Sequence, residues 1–273
     1  MTMRTHRPRP PLDRFVDCFW HNDGDRLEHR RERMLPNGSF ALIVNLSEDR
    51  IRRFAHDADP VGIDYPGALV SGAHAGYYVR DTSAPKTVIG VHFRPGGAAP
   101  LLGLPAGPLA GCHVGLEDIW GRSARALRDR LIEAATPDER FAILSNALLA
   151  RLERPFGHHP AVGYALRRLT AAPALTRIAE VRADTGYGAK RFIQLFHDAV
   201  GLTPKLYCRV QRFQGVIDRL ARGERVEWAA VAADSGYCDQ SHLNREFRAF
   251  AGMTPTEYRP VATDRPNHVA IGG

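Results

Sequence analysis

The side chains best suited to molecular recognition lie in two stretches of the chain that repeat one another. Residues 184–207 read DTGYGAKRFIQLFHDAVGLTPKLY, and residues 234–258 read DSGYCDQSHLNREFRAFAGMTPTEY. Both stretches carry amide, hydroxyl and cationic side chains, which donate or accept hydrogen bonds at the edges of nucleic-acid bases. The chain shows no nucleophile elbow, phosphate-binding loop or dinucleotide fingerprint, so the chemistry these stretches suggest is binding rather than catalysis.

The repeat also defines the elements that must position these side chains. Its period is fifty residues up to the tyrosine and fifty-one beyond it, so one inserted residue separates the copies. Such a repeat indicates a duplicated supersecondary unit, and each copy reads as helix, glycine turn and second helix, the layout of a helix-turn-helix. The matched pairs are Asp184/Asp234, Gly186/Gly236, Tyr187/Tyr237, Phe196/Phe247, Gly201/Gly252, Thr203/Thr254, Pro204/Pro255 and Tyr207/Tyr258.

Apolar spacing predicts which face of each second helix is buried. Over residues 189–200 it is the face of Phe192 and Phe196, and in the second copy it is the face of Leu243 and Phe247. The opposite faces carry polar and basic side chains and one isoleucine, which are therefore expected to be exposed. They are Lys190, Arg191, Ile193, Gln194 and His197 in the first copy, and Gln240, Ser241, His242, Asn244 and Arg245 in the second.

Residue types at the turns predict how these helices begin and end. Gly186 and Gly236 lie where the chain turns sharply, and glycine adopts a positive φ without a Cβ penalty. Asp239 is a good N-cap, whereas Gly188 has no side chain for the same task. The helix before Gly186 is expected over residues 175–183, with Leu175 facing inward.

A single helix is predicted between the two copies, over residues 205–223. Its apolar residues fall on one side over about four turns, and they are Leu206, Val210, Phe213, Ile217 and Leu220. The opposite face carries Arg209, Arg212, Arg219 and Arg222. Such a helix would fix the separation of two reading units, which must be roughly 34 Å if they enter successive major grooves.

The positive charge is concentrated in the repeated half of the chain. Of a net charge of +7, residues 1–153 contribute +1, with 20 Lys and Arg against 19 Asp and Glu, and residues 154–260 contribute +6, with 16 against 10. A basic module facing phosphates would show this distribution. The four cysteines are scattered without a CxxC pair, and no apolar run could span a bilayer or form a secretory signal. A cytoplasmic protein that does not enter a membrane is expected.

The first part of the chain reads as a β-rich domain over residues 12–115. Short runs rich in β-branched and aromatic residues are bounded by Gly, Pro, Asn or Asp, which favours an antiparallel barrel or sandwich. They are FVDCFW (15–20), FALIVNL (40–46), GALVSG (67–72), GYYVR (76–80) and TVIGVHF (87–93). The predicted fold class is therefore α+β, with an all-α double helix-turn-helix domain behind a β-rich domain.

The remaining segments are predicted to be connectors. Residues 116–153 have helical periodicity, with a helix start at Thr136, and could either pair subunits or pack on their own domain. Residues 154–160 contain two prolines and a glycine and read as a linker. The helical domain is expected over residues 156–260, and residues 261–273 are expected to be a flexible tail.

Residues 156–260 resemble the DNA-binding domain of AraC-type bacterial transcription regulators. The specific stretch is VAADSGYCDQSHLNREFRAFAGMTPTEYR. The first copy fits the family less closely, with Arg182 where alanine is usual and Gly188 where serine is usual. Residues 34–150, with LPNGSFALIVNLSED and GVHFRPGGAAPLLG, resemble an uncharacterised domain found ahead of AraC-type domains, which implies a sensory role.

The resemblance implies a set of DNA contacts. Glutamine pairs with adenine, arginine or lysine with guanine, and isoleucine contacts a thymine methyl group. The implied base contacts are Lys190, Ile193, Gln194, Gln240, Ser241, His242 and Arg245. Contacts to the DNA backbone are expected from Arg191, Arg209, Arg212, Thr203 and Thr254, the two threonines as helix caps that point an amide at phosphate.

Two other functions stay open on the sequence. An enzyme with a catalytic β-barrel would need a metal site, for which His74, His92 and His113 are the candidates, but they lack metal-barrel spacing. A low-specificity architectural DNA binder is the second. The favoured interpretation is a sequence-specific transcription regulator with no catalytic residues, cofactor or metal. Its expected partners are double-stranded DNA, a small-molecule effector, RNA polymerase and a second copy of the chain.

Overall fold

The computed structural model describes residues 3–24, 27–152, 159–223 and 227–272. Within these ranges strands dominate the amino-terminal part and helices the carboxy-terminal part, which confirms the α+β class. The strands are β1 (Met3–His6), β2 (Val16–Asn22), β3 (Arg31–Met34), β4 (Ala41–Asn45), β5 (Ile51–Phe54), β6 (Ile63–Tyr65), β7 (Ala68–Ser71), β8 (Tyr78–Asp81), β9 (Val88–Phe93), β10 (His113–Gly115) and β11 (His268–Ala270).

The strands form two antiparallel sheets, which together are called the β domain. The first has the order β1-β2-β9-β4-β7-β10 and the second the order β11-β3-β8-β5-β6. All five predicted strands are present. β3 (RERM) and β5 (IRRF) were not predicted, because alternation with arginine and glutamate hides the apolar signal of a strand.

The helices begin after β9 in the chain. They are α1 (Ala98–Leu102), α2 (Leu116–Trp120), α3 (Arg122–Glu133), α4 (Pro137–Leu149), α5 (Pro160–Ala171), α6 (Ile178–Thr185), α7 (Ala189–Val200), α8 (Pro204–Ala221), α9 (Trp228–Asp234) and α10 (Gln240–Ala251). Strand β10 lies between α1 and α2, and β11 follows α10. Helices α5 to α10 are called the helical domain. Within the described ranges, no helix has the length and apolar composition needed to cross a membrane.

One face of the first sheet is buried along its central strands, where α4 packs on it. Phe19 on this face is fully buried, and its ring centroid lies 6.3 Å from that of Phe141 in α4. Helix α4 begins as predicted, with a capping box between Thr136 and Glu139. The apolar stripes of α3 and α4, with Leu127 and Leu144 among them, therefore pack on their own sheet, the second of the two alternatives that the sequence left open.

Two expectations about the end and the middle of the chain are wrong. The tail is not loose throughout, because β11 pairs with β3 in the register His268↔Met34, and Val269 is buried. Leu175 is 84% exposed, because α5 ends at Ala171 and α6 starts only at Ile178, so Leu175 belongs to the turn between them. Residues 154–158 of the predicted linker lie outside the described residues.

Candidate nucleic-acid interface

The first helix-turn-helix consists of α6 and α7. Gly186 joins them with φ of +73°, the positive value predicted for this turn. Helix α7 buries Phe192 and Phe196, as its apolar spacing predicted. Gly188 is the N-cap and makes no side-chain hydrogen bond, so no side chain at this position caps the helix start.

The outer face of α7 carries the first set of predicted DNA contacts. Lys190, Arg191, Ile193 and Gln194 are all exposed, and Ile193 is 45% exposed despite its apolar side chain. The Gln194 amide donates to the carboxylate of Asp198 at 2.8 Å, one turn further along the helix. The face therefore presents a cation, an apolar group and an amide side by side, in the part of α7 nearest its amino-terminal end.

The second helix-turn-helix, formed by α9 and α10, has a better-defined start. Gly236 turns the chain with φ of +73°. The Asp239 side chain accepts a hydrogen bond from the His242 N–H at 2.7 Å, the N-cap that the sequence predicted. Leu243 and Phe247 are buried beneath the helix, so α10 is fixed both at its first turn and along its inner face.

The predicted DNA contacts of α10 differ in their exposure. Gln240, Ser241 and Arg245 are exposed. The His242 ring is half-buried, packs edge-on against Tyr237 with centroids 5.3 Å apart, and accepts from the Cys238 N–H at 3.4 Å. His242 therefore supports the turn before α10, whereas its three neighbours face outward.

Two of the arginines predicted to contact the DNA backbone hold α8 to the second unit. Arg209 makes a bidentate ion pair with Glu246 of α10, with N–O distances of 2.8 and 2.6 Å. The guanidinium lowers the pKa of the Glu246 carboxyl through these hydrogen bonds. Arg212 donates to the Gly236 carbonyl at 2.9 Å and lies over the Tyr237 ring. Both cations thus position the second helix-turn-helix on α8.

The two threonines predicted to cap helices differ in their roles. The Thr203 side chain caps α8 by accepting from the Leu206 N–H at 3.3 Å, as predicted. No helix begins at Thr254 within the described residues. Its N–H and hydroxyl both donate to the Glu257 carboxylate, at 2.6 and 2.8 Å, so this carboxylate closes a turn.

The carboxy-terminal ends of α7 and α10, the two reading helices, lie against the β domain. The Ala106 N–H donates to the Asp198 carbonyl of α7 at 2.7 Å. At α10, the Tyr77 N–H donates to the Phe250 carbonyl at 2.9 Å, and Arg33 donates to the Ala251 carbonyl at 3.1 Å. Hydrogen bonds to main-chain carbonyls do not require a particular residue type at the acceptor. The sequence pattern therefore did not identify Arg33, Tyr77 or Ala106 beforehand. The amino-terminal halves of both reading helices remain uncovered.

A cavity of about 160 Å³ lies between the two sheets. Successive residues of a strand point to opposite faces of the sheet. Along β4 and β9, half-buried residues occur among fully buried ones, and the half-buried ones line the cavity. The side chains that define it are Trp20, Ile43 and His92 from the first sheet and Met34, Arg53 and Tyr78 from the second. This space could hold a small molecule.

The three histidines considered as metal ligands are divided between two places. The rings of His74 and His113 lie 4.8 Å apart, whereas His92 stacks on Trp20 at 5.8 Å. Burial lowers the pKa of His74 to about 4 and that of His113 to about 2, so both are neutral. Among residues 3–24, 27–152, 159–223 and 227–272, no group of three or more His, Cys, Asp or Glu side chains could hold a metal ion.

Two domain families match the chain. Residues 181–260 match a family described as a helix-turn-helix domain, and residues 4–115 match a domain of unknown function, DUF6597. The first match runs from within α6 to beyond α10 and so includes both reading helices. No curated relative matches by sequence.

Solved structures with a similar arrangement include those of ToxT from Vibrio cholerae. One has 11% identity and a TM-score of 0.48 over 88% of this chain and 97% of that chain. The unsaturated fatty acid-bound wild-type ToxT of strain SCE256 has 9% identity and a TM-score of 0.46 over 88% and 94%. ToxT of strain O395 bound to (E)-4-(8-methylnaphthalen-1-yl)but-3-enoic acid has 12% identity and a TM-score of 0.46 over 88% and 97%. Similarity at this level assigns no residue of this chain a role.

Proposed function

We propose that the protein is an AraC-type DNA-binding transcription regulator and that it reads two adjacent major-groove segments with α7 and α10; the helix-turn-helix match over residues 181–260 supports this. The observation that carries this proposal is the matched pair of exposed polar faces near the amino-terminal ends of these two helices. Residues in this part of a recognition helix are the ones that reach base edges in helix-turn-helix proteins.

Each reading helix would contribute three side chains to base recognition. On α7, Lys190 and Gln194 offer hydrogen bonds and Ile193 offers an apolar surface for a thymine methyl group. On α10 the three are Gln240, Ser241 and Arg245. His242 would support the helix start from its place against Tyr237 and contact DNA only at its exposed edge.

Affinity for the DNA backbone would come from positive groups that do not stabilise the protein's own fold. Arg191 on α7 is exposed and lies beside the three base-contacting residues. The first turn of α8, capped by Thr203, leaves the Lys205 N–H for a phosphate at the positive end of an 18-residue helix, because Pro204 has no N–H and the Leu206 N–H bonds Thr203. Arg209 and Arg212 would act as positioning residues, since their charges are used between α8 and the second unit.

Helix α8 would set the spacing of the two reading helices. It is 18 residues long, which corresponds to roughly 27 Å. Near its start, Tyr207 packs on Phe196 with ring centroids 5.7 Å apart, and further along Phe213 packs on Phe247 at 5.0 Å. Because both units rest on one continuous helix, their separation is fixed before DNA binds, and the protein pays little conformational entropy on association.

An effector in the β-domain cavity would act through the strands that touch α10. Met34 and Tyr78 line the cavity, and their chain neighbours Arg33 and Tyr77 contact the end of α10 from the other face of the same strands. A ligand that binds one arrangement of β3 and β8 more tightly would shift the orientation of α10 by population shift. The protein would then act by binding, without a catalytic step of its own. Contacts with RNA polymerase and with a second copy of the chain stay predictions.

The test is selection of binding sites from random duplex DNA by the full-length protein at one fixed salt concentration. We expect two sequence elements whose centres lie about 10 base pairs apart. Arg245→Ala should relax one position of one element at a cost of ~1–3 kcal/mol, and Gln194→Ala should relax a position in the other element only. Arg122→Ala, an exposed arginine of α3, removes the same charge and should leave both elements unchanged.

Two outcomes would contradict the proposal. If Arg245→Ala and Arg122→Ala select the same sequences with the same preferences, α10 does not read bases. If the wild-type protein binds all duplexes within a factor of ~10³, it lacks the specificity ratio of a regulator and acts as an architectural binder.

A further inference from the structure

We propose that residues 259–271 form a clasp that holds the helical domain on the β domain and thereby supports the carboxy-terminal ends of both reading helices. The clasp itself does not depend on DNA, whereas its effect on DNA affinity rests on the function proposed above. The segment leaves the helical domain after Tyr258 and reaches the second sheet as its edge strand, β11. Residues 261–271 lie beyond both matched domain families, so neither match includes this connection.

The last part of the clasp is bonded to β3 as an added strand. The Leu35 N–H donates to the Asn267 carbonyl at 2.8 Å, and the Ile271 N–H donates to the Arg31 carbonyl at 3.0 Å. Between these two bonds Val269 is buried. Main-chain hydrogen bonds on both sides of a buried side chain fix the register of β11, because a slip by one residue would turn Val269 toward solvent.

A buried carboxylate holds the same strand from the side. Glu32 of β3 is fully buried, and its Oε2 lies 3.0 Å from Nδ1 of His268 in β11 and 2.7 Å from the Arg80 guanidinium. Burial alone would raise the pKa of the Glu32 carboxyl, but the hydrogen bond from His268 and the charge of Arg80 lower it well below its usual range. Because an ionised carboxylate only accepts, His268 is the donor, and its removal would leave a buried charge short of a partner.

The middle of the clasp is bonded to α8, the helix on which both reading units rest. The Gln214 amide donates to Oδ1 of Asn267 at 2.9 Å and to the Pro36 carbonyl at 2.7 Å. Three residues earlier in α8, the Gln211 amide donates to the Asn37 carbonyl at 3.1 Å. The clasp, α8 and the chain that follows β3 therefore meet at one junction.

The start of the clasp is fixed to the helical domain. Tyr258 is buried, its ring lies 5.9 Å from that of Phe247 in α10, and its hydroxyl donates to the Pro266 carbonyl at 2.6 Å. The Val261 N–H donates to the His268 carbonyl at 2.9 Å, so the segment folds back on itself before it joins the sheet. A short segment held at both of its ends limits how far the two domains can separate.

The clasp lies beside the contacts that support the reading helices. Arg33, which is opposite Val269 in the sheet register, donates to the Ala251 carbonyl of α10. The N–H groups of Tyr77 and Ala106 donate to carbonyls near the ends of α10 and α7. The last four carbonyls of a helix have no partner within it, so the β domain satisfies groups at both helix ends. Since the amino-terminal halves of α7 and α10 stay uncovered, the docked arrangement supports DNA binding.

The experiment is site-resolved amide hydrogen exchange of the full-length protein and of Val269→Asp, which places a charge at a buried position of β11. The Leu35 and Ile271 amides report on the pairing of β11 with β3, and the Tyr77 and Ala106 amides report on the junction between the domains. We expect Val269→Asp to speed exchange at all four amides by at least about tenfold, because the opening of β11 frees the junction.

Val61→Asp is the matched control, because it adds the same charge at an exposed position and should leave all four exchange rates unchanged. The clasp is refuted if Val269→Asp speeds exchange at Leu35 and Ile271 while Tyr77 and Ala106 keep their wild-type rates, since the strand would then detach without loosening the domains. It is also refuted if none of the four rates changes.

A second variant covers the case in which Val269→Asp does not fold. Gln214→Ala removes two hydrogen bonds of the junction without adding a charge or altering the apolar core. The same four amides should then exchange at least about threefold faster than in the wild type. Wild-type rates at Tyr77 and Ala106 in this variant would equally refute the clasp.

DNA titration at one salt concentration separates the clasp from the proposed function. Val269→Asp should bind the selected site at least about fivefold more weakly than Val61→Asp, a typical coupling between two sites, because unsupported helix ends must be ordered on binding. Equal or tighter binding would refute the support of the reading helices. If the wild type binds no duplex specifically, the proposed function fails, whereas faster exchange at all four amides would still establish the clasp.

Discussion

Tyr77 and Phe250 are joined by a main-chain hydrogen bond of 2.9 Å that fastens the end of the second reading helix to the β domain. The next residue after Tyr77, Tyr78, points to the opposite face of its strand and lines the cavity. Two consecutive residues at the start of β8 therefore contact the candidate ligand space, through Tyr78, and the end of α10, through Tyr77.

Substitution of Gly252 should weaken this junction. Gly252 ends α10 with φ of +67°, and an added Cβ would come within 2.4 Å of the Tyr77 ring. Gly186, with φ of +73° and no atom within 4 Å of the same position, is the matched control. We expect Gly186→Ala to lower the free energy of unfolding by about 1 kcal/mol through backbone strain and Gly252→Ala to lower it by about 1 kcal/mol more. Urea unfolding measures both, and combination with Tyr77→Ser should remove the excess. Equal losses at the two glycines would contradict the contact.

The ion pair between Arg209 and Glu246 should contribute measurably to stability. The Glu246 side chain is 12% exposed and the pair is bidentate, whereas the comparison pair Arg219–Asp234 includes a carboxylate that is 63% exposed. A double-mutant cycle of Arg209→Gln and Glu246→Gln should give a coupling energy of about 1–2 kcal/mol, and the same cycle at Arg219 and Asp234 less than about 0.5 kcal/mol. Equal couplings would show that partial burial does not strengthen the first pair.

The free energy of unfolding should fall as the pH falls below the pKa of an ordinary histidine side chain. His113 has an unfolded pKa of about 6.5, and burial lowers its pKa to about 2 in the folded state. Because the unfolded state takes up the proton first, stability is complete above about pH 6.5 and is lost as the pH falls toward the folded value. His113→Gln should reduce the slope between pH 6 and 5 by on the order of 1 kcal/mol per pH unit. His56→Gln, at an exposed position, should leave the slope unchanged. A slope that His113→Gln does not alter would disprove burial of a neutral ring.

Val269 should stabilise the β domain although it lies four residues from the end of the sequence. It is 5% exposed in β11, whereas Val61 is 71% exposed in a loop. Val269→Ala should lower the free energy of unfolding by about 1–2 kcal/mol, the value of two buried methyl groups, and Val61→Ala by less than about 0.5 kcal/mol. If thermal and urea unfolding show the two variants to be alike, the last strand does not contribute to the fold.

Local signals in the sequence predicted much of the helical domain. The fifty-residue repeat located both helix-turn-helix units, and glycine at positions 186 and 236 predicted the positive φ of their turns. The apolar spacing of Phe192 and Phe196 identified the buried face of α7, and Asp239 was correctly identified as a cap. These features depend on residues a few positions apart, for which side-chain type alone decides the backbone conformation.

Only the tertiary structure decided what the charged residues do. The sequence predicts a phosphate contact for Arg209 from its place on the helix, and only the structure shows that its guanidinium pairs with Glu246, 37 residues away. The last strand pairs with β3 across more than 230 residues. Periodicity describes one element at a time, whereas the partner of a charge or of a strand edge depends on which distant element folds beside it.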